Sequence, residues 1–240
     1  MIKPEIIFQD NDLVVLNKPA GMLSIPDRFN QNIPNLVSWL DKSGIAVIPV
    51  HRIDKFTSGV IVFAKNPEAH RVLSLDFEAR QVDKYYTAIC DGRFLSERGE
   101  INAPLAESTI TRGKMIVHKR GKASLSQYEV LEQFNRFALV EVKILTGRMH
   151  QVRVHLAHIG HPLAADPLYG KRESLFLSEI KTKRFHLSKY AEEQPFLTRQ
   201  PLHAARIRFN HPSTGNSVEF KAELPKDLIA VLNQLRKWDK

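Results

Sequence analysis

The sequence predicts an α+β fold, a mixed and largely antiparallel β-sheet flanked by helices and loops. Two alternating stretches and one count carry this. Ala138, Val140, Val142 and Ile144 alternate with Leu139, Glu141 and Lys143, the period of a strand with one buried face. Ala205, Ile207 and Phe209 alternate with Arg206, Arg208 and Asn210, the run His211-Pro212-Ser213-Thr214-Gly215-Asn216 turns the chain, and Val218, Phe220 and Ala222 alternate again. That pattern is a hairpin, and such hairpins outnumber strand-helix-strand units, which favours α+β over a parallel sheet.

The other elements follow in order. Val60-Ile61-Val62-Phe63-Ala64 is an unbroken apolar run, suited to a strand buried on both faces. Asn66-Pro67 reads as an N-cap followed by proline at the first helical position, and Val72, Leu75 and Ala79 recur on one face up to about Arg80, a short amphipathic helix packed behind that strand. Val152, Leu156 and Ile159 fall at helical spacing, while Gln151, Arg153 and His155 alternate with apolar neighbours as a strand would. Gly160 and Pro162 end the segment as a helix ends, so the reading is a helix from about His150 to Ile159. Pro225 opens a last helix with a core stripe of Leu228, Leu232 and Leu235.

At 240 residues and 43% hydrophobic, the chain can bury one sizeable core. Without a linker, repeat or low-complexity stretch, it is expected to form a single domain over 1–240. No apolar run is long enough to cross a bilayer and Met1-Ile2-Lys3-Pro4-Glu5 has no signal-peptide pattern, so the expectation is a cytoplasmic protein with no membrane partner. The single cysteine, Cys90, excludes an internal disulfide and a cysteine-based zinc cluster; it is expected to be a buried, inert thiol.

Lysine and arginine number 35 against 26 acids, a net charge of +9. The excess is concentrated: from Thr111 to Lys122 the chain carries Arg112, Lys114, Lys119, Arg120 and Lys122 and no acid. Such a patch suits a polyanion, although a solvated hairpin tip reads the same way.

The most chemically suggestive stretch is His51-Arg52-Ile53-Asp54-Lys55-Phe56-Thr57-Ser58-Gly59. It sets Asp54 at the edge of the apolar strand between two cations, which favour the anion. A carboxylate held that way can attack a carbon or take a proton; alternatively it caps a turn and His51 and Arg52 are solvated. Thr57-Ser58-Gly59 lacks the glycine of a nucleophile elbow, so its hydroxyls are read as satisfying backbone groups below Asp54. His150, His155, His158 and His161 have no cysteine or paired carboxylate to complete a zinc site, so no metal is expected.

A second segment is as distinctive: Thr146-Gly147-Arg148-Met149-His150-Gln151-Val152-Arg153-Val154-His155-Leu156-Ala157-His158-Ile159-Gly160-His161-Pro162, ending in Asp166-Pro167-Leu168-Tyr169-Gly170. Together the two stretches resemble the signature blocks of the RluA-type RNA pseudouridine synthases. Asp12 to Gly21 is similar to the family's opening strand and its NKPxG turn, Lys84-Tyr85-Tyr86 to its KxY block, and Leu202-His203-Ala204 to its late LHA block. Departures are Met149, Ile53, Val152 and Ala164-Ala165, and Lys171 to Arg199 carries no recognised motif.

The resemblance implies a pseudouridine-synthase-like sheet with a central RNA-binding cleft; no separate N-terminal RNA-binding domain is recognisable before Asp12 and none is expected. It implies isomerisation of a specific uridine to pseudouridine in a stem-loop of ribosomal or transfer RNA, without cofactor, by a protein taken as a monomer. Asp54 would be the nucleophile or base, Tyr86 would stack on the target base, and Arg52 would fill the gap left by the flipped uridine. Arg153, near the start of the 150–159 helix, would face Asp54 through two parallel hydrogen bonds. His51, Arg148, His150, Gln151 and Lys18 would contact substrate or RNA, and Arg112, Lys114, Lys119, Arg120 and Lys122 its phosphates. A silent RNA chaperone, a phosphoester hydrolase using Asp54, and a ribosome-assembly factor remain open from residues alone.

Overall fold

In the computed structural model, residues 3–182, 185–188 and 192–240 are described. The chain forms two compact units, Met1–Tyr86 with His203–Glu223, and Thr87–Leu202 with Leu224–Lys240. Each is assembled from separated stretches of sequence.

The first unit is built around β4 (Ser58–Ala64), whose seven residues are all buried, as its unbroken apolar run requires. Antiparallel partners are β2 (Leu13–Lys18), which also pairs with β1 (Glu5–Gln9), and the short β3 (Ile48–Pro49). β11 (Leu202–Asn210) runs parallel to β4 at its start, His203 opposite Ser58 and Ala204 opposite Gly59. It then pairs antiparallel with β12 (Ser217–Lys221) in the expected hairpin, Ile207 opposite Phe220 and Phe209 opposite Val218.

Gly59 makes the parallel junction. Its φ is +112° and a Cβ there would stand 2.1 Å from the Ala204 carbonyl oxygen, so glycine is required by both space and backbone. Ser58 does not bond backbone as its neighbours in sequence suggested. Its hydroxyl lies 3.0 Å from Nδ1 of the buried His203, whose Nε2 lies 2.9 Å from the Ala222 carbonyl. The carbonyl fixes the Nε2–H tautomer, so Ser58 is the donor to Nδ1.

Helix α2 (Pro67–Glu78) starts as expected, with Asn66 accepting from the Ala69 amide and Pro67 at the first turn. Its buried face is different. Ala69 and Leu73 are buried and Phe77 packs on the same core, whereas Leu75 is exposed and Val72 only half-buried. The stripe Val72-Leu75-Ala79 is one helical step away, and the packing of Ala69, Leu73 and Phe77 on the core of the first unit decides between them. Helix α1 (Leu36–Asp41), capped by Asn35, and β1 were not foreseen.

The second unit holds the antiparallel run β6 (Arg98–Asn102), β9 (Leu125–Gln133) and β10 (Phe137–Ile144), the hairpin β7 (Leu105–Glu107) with β8 (Met115–Val117), and helices α3 (Gln151–His158), α4 (Leu177–Lys181) and α5 (Lys226–Trp238). The alternation of 138–144 is realised in β10. The segment without a motif contributes Leu175, Ile180 and Leu197 to a core shared with Leu228, Val231, Leu232 and Leu235 of α5. Arg199 clamps the start of α5 through Asp227, at 2.6 and 2.9 Å. Cys90 is fully buried in β5 (Asp83–Asp91), which pushes its thiol pKa up and keeps it protonated.

Helix α3 settles the choice between helix and strand. Its first six residues are all buried. Polar and apolar residues alternate because each buried polar side chain has a partner. Gly160 follows at φ +87°, the left-handed stop. Among the described residues, no helix is long and apolar enough to cross a membrane.

Candidate active site

Asp54 lies half-buried in the loop between β3 and β4, and the backbone on both sides of it is held. Before it, Ser24 grips the Ile53 peptide twice, its hydroxyl donating to the Ile53 carbonyl at 2.8 Å and accepting the Ile53 amide at 3.1 Å. After it, the Lys55 carbonyl accepts from the Gly21 amide and from the Lys18 ammonium, both at 2.9 Å. The Thr57 amide closes the turn on the Asp54 carbonyl. The segment 18–24 is thus a brace for the loop, with a carboxylate projecting from its middle.

Lys18 was expected to meet phosphate or pocket. It is fully buried and donates to the carbonyls of Met22, Lys55 and Pro19 at 2.7, 2.9 and 3.1 Å, so a phosphate contact is closed to it. A buried ammonium is tolerated where its protons are taken. Lys18→Met keeps the length and removes those donors. It is expected to cost about 1–3 kcal/mol in urea denaturation and to lower turnover by loosening the loop.

His51, expected at RNA, is bonded into the frame. Its ring stacks on Phe77 at 4.8 Å and its Nε2 accepts the Val62 amide at 3.1 Å. Burial, with the Lys84 charge adding, pushes its pKa down to about 3, so it is neutral at physiological pH. Lys84 packs over the other ring neighbour, 5.1 Å from the Phe77 centroid. Arg52 and Lys55 are exposed on either side of Asp54.

Tyr86, on β5, is half-buried against the core of the first unit. Burial, and then the Asp54 carboxylate nearby, push its phenol pKa well above the usual range. It therefore keeps its proton at neutral pH. One residue back, Tyr85 carries the Arg206 guanidinium 3.8 Å from its ring centroid. The alternation of a strand sends one tyrosine to Asp54 and the other to a surface pair.

In the second unit, Arg153 on α3 is buried, and its Nε and Nη2 donate to the two oxygens of Asp166 at 2.7 and 2.8 Å. Asp166 Oδ1 also accepts the amides of Leu168 and Tyr169. The two parallel hydrogen bonds expected from Arg153 to Asp54 are made to Asp166 instead, because the carboxylate buried beside the guanidinium takes both Nε and Nη2. The available signal was an acid directly after the apolar run Leu163-Ala164-Ala165, where a buried carboxylate needs a cation.

Gln151, expected at RNA, is buried and used up. Its oxygen accepts from Thr146 Oγ1 and the Arg148 amide, and its nitrogen donates to the Leu125 carbonyl and Ser126 Oγ, all at 2.8 to 3.0 Å. His155 bonds Ser126 and the Ala103 carbonyl. His150, half-buried, lies 2.9 Å from the Tyr169 hydroxyl. Arg148 donates to the Ala123 carbonyl at 3.3 Å. Among the basic residues, Arg112 lies exposed at the tip of the β7–β8 hairpin, with Lys114 half-buried at its return; Lys119, Arg120 and Lys122 are exposed just after β8.

Among the described residues, Asp10, Asp12 and His211 stand close enough to share an ion. Their atoms are already spent on a corner of the first unit. Asp10 accepts the amides of Asp12 and Leu13 and pairs with His211 at 2.8 Å, while Asp12 accepts from Asn66 and Ser213.

Residues 12–158 match the family model described as RNA pseudouridylate synthase. The chain is 37% identical over 96% of its length to the ribosomal large subunit pseudouridine synthase D of Zymomonas mobilis, covering 72% of that protein. It is 38% identical over 98% of its length to the protein of the same name in Pseudomonas aeruginosa, again covering 72%. The solved structure of human RNA pseudouridylate synthase domain containing 4 superposes with a TM-score of 0.73 at 28% identity, covering 96% of this chain and 92% of that one. With both signature stretches folded into braced, buried frameworks and relatives matched over nearly the whole chain, this protein belongs to the RluA-type RNA pseudouridine synthases, isomerases acting on RNA.

Proposed function

We propose that this enzyme converts a specific uridine of ribosomal or transfer RNA to pseudouridine with Asp54 as its nucleophile or base, acting as a cytoplasmic monomer. The observation that carries this is the bracing of Asp54. Serine, lysine and glycine contacts fix the residue before it and the residue after it, and Tyr86 stands close enough for its phenol to feel the carboxylate. A reacting carboxylate has to be held to within a fraction of an ångström.

The bond from uracil N1 to the ribose breaks, the base turns, and C5 is rejoined to C1′. Every atom of the uridine is retained except the C5 proton, which is exchanged, so the reaction needs neither cofactor nor metal. Tyr86 stacks on the base and, being protonated, can return or relay a proton only through a partner such as Asp54. Arg52, exposed beside Asp54, is the planar cation that fills the stack when the uridine leaves it. Arg153 is assigned by the family resemblance alone to the cation that keeps the catalytic acid ionised; its Nε and Nη2 are held by Asp166. Arg148 and His150 belong to the same substrate-facing set.

The relatives' names point to large-subunit ribosomal RNA as the substrate to test first. Incubating such RNA, unmodified, with the enzyme and mapping pseudouridine by chemical labelling should give a stop at one position; labelling no different from untreated RNA overturns the reading. Arg112, Lys114, Lys119, Arg120 and Lys122 are assigned to phosphate. Affinity is expected to fall steeply with salt, and Lys119→Ala with Arg120→Ala should flatten the log–log slope by roughly 1.4 to 1.8. An unchanged slope would remove this patch from the interface.

A further inference from the structure

We infer that Tyr169 is a positioning residue that joins the basic hairpin to the catalytic helix, its hydroxyl holding the hairpin and its ring holding Arg153. The inference rests on the proposed roles of Asp54, Arg153 and the basic segment. Tyr169 is half-buried in the turn after Asp166, and contacts from four residues converge on it. Its hydroxyl accepts the amide of Met115, the first residue of β8, at 2.8 Å, and lies 2.9 Å from His150 Nδ1. Its ring carries the Arg153 guanidinium 4.9 Å from the centroid, and Lys114 of the hairpin reaches the same ring at 5.9 Å.

The turn enforces this. Asp166 Oδ1, already bound to Arg153, accepts the Tyr169 amide at 3.2 Å. At Gly170 a Cβ would stand 2.7 Å from the Asp166 carbonyl oxygen, so the chain folds back tightly enough to lay Tyr169 over the cation it shares a carboxylate with. His150 precedes α3 at φ +55°, a left-handed conformation unfavourable to a residue with a side chain. Such backbone persists where its surroundings fix it, and the Tyr169 hydroxyl is one contact that holds the imidazole.

Phosphate drawn to the hairpin therefore pulls on Met115, Met115 on Tyr169, and Tyr169 bears on both His150 and Arg153. Hydroxyl and ring have separable consequences. Tyr169→Phe keeps the ring under the guanidinium and releases both the hairpin amide and His150 Nδ1; KM for the RNA is expected to rise about 5- to 10-fold with kcat within about twofold. Tyr169→Leu also removes the ring, and kcat should fall by a further factor of about 10 or more as Arg153 loses its support.

The test measures kcat, KM and thermal unfolding of the full chain with both variants, and filter-binding affinity for the same ribosomal RNA with each placed on Asp54→Asn. A KM effect in Tyr169→Phe that disappears when Arg112, at the hairpin tip, is alanine supports the link to the hairpin. Parent-like KM and affinity in Tyr169→Phe, or a Tyr169→Leu variant indistinguishable from it, overturns the inference while pseudouridine formation by the parent stands. Should the parent form none, the reading of the site falls, and the affinity measurement alone decides the hydroxyl's part.

Discussion

Asp54→Asn is expected to lower pseudouridine formation by at least about 10³-fold while leaving RNA affinity within about twofold of the parent. The contacts that shape the loop are made by backbone: the Ile53 peptide to Ser24, the Lys55 carbonyl to Lys18 and Gly21, and the Asp54 carbonyl to the Thr57 amide. Asparagine matches the size of the side chain and leaves these backbone bonds in place, so the loop should persist while the charge is lost. An amide neither attacks carbon nor accepts a proton near neutral pH. Labelling of pseudouridine and filter binding, run on the same preparation, separate the two effects. Turnover above a tenth of the parent's would take the reaction away from Asp54, and a parallel loss of affinity would mean that the loop had moved.

Asp166→Ala should be the most destabilising single change at the site, about 3–5 kcal/mol in urea denaturation, with loss of activity. The carboxylate has no exposed surface and the guanidinium retains 5%. Four donors meet on Asp166, two from Arg153 and the amides of Leu168 and Tyr169. Truncation removes the carboxylate from beside a buried cation and leaves two turn amides without their acceptor. The double change Arg153→Met with Asp166→Leu removes both charges and should recover most of the stability, because a buried ion pair is held against a large desolvation cost. It should stay inactive. A loss below about 1 kcal/mol for Asp166→Ala would show that water reaches the pair.

What could be read from residues alone divides along one physical line. Elements whose pattern reflects burial on one side, such as β10, the β11–β12 hairpin and α5, were legible because solvent enforces the alternation. Helix α3 is buried around its first six residues, so no solvent face exists to set a helical period, and only Gly160 and Pro162 betrayed its nature. In α2 the period was visible but its phase was not, since packing on the core of the first unit chooses the buried stripe. At the site, Asp54 and Tyr86 stood out by motif, yet the charge or polarity of Lys18, His51 and Gln151 suggested contact with RNA where the structure uses them as internal struts. Polar residue type records the need for a partner without telling whether that partner is substrate or the chain's own carbonyls. Ser24 carried no signal at all, because a single hydroxyl in a loop is ordinary until its two bonds to Ile53 are seen.

The strand leading away from Asp54 begins where Ser58 meets His203 and Gly59 meets the Ala204 backbone, partners 145 residues apart along the chain. That separation has a temporal meaning. As the polypeptide is made, Asp54 and β4 emerge long before His203 and Ala204, which supply the parallel partner. Strand β4 must therefore wait for a late stretch of chain before that edge of the first unit can close.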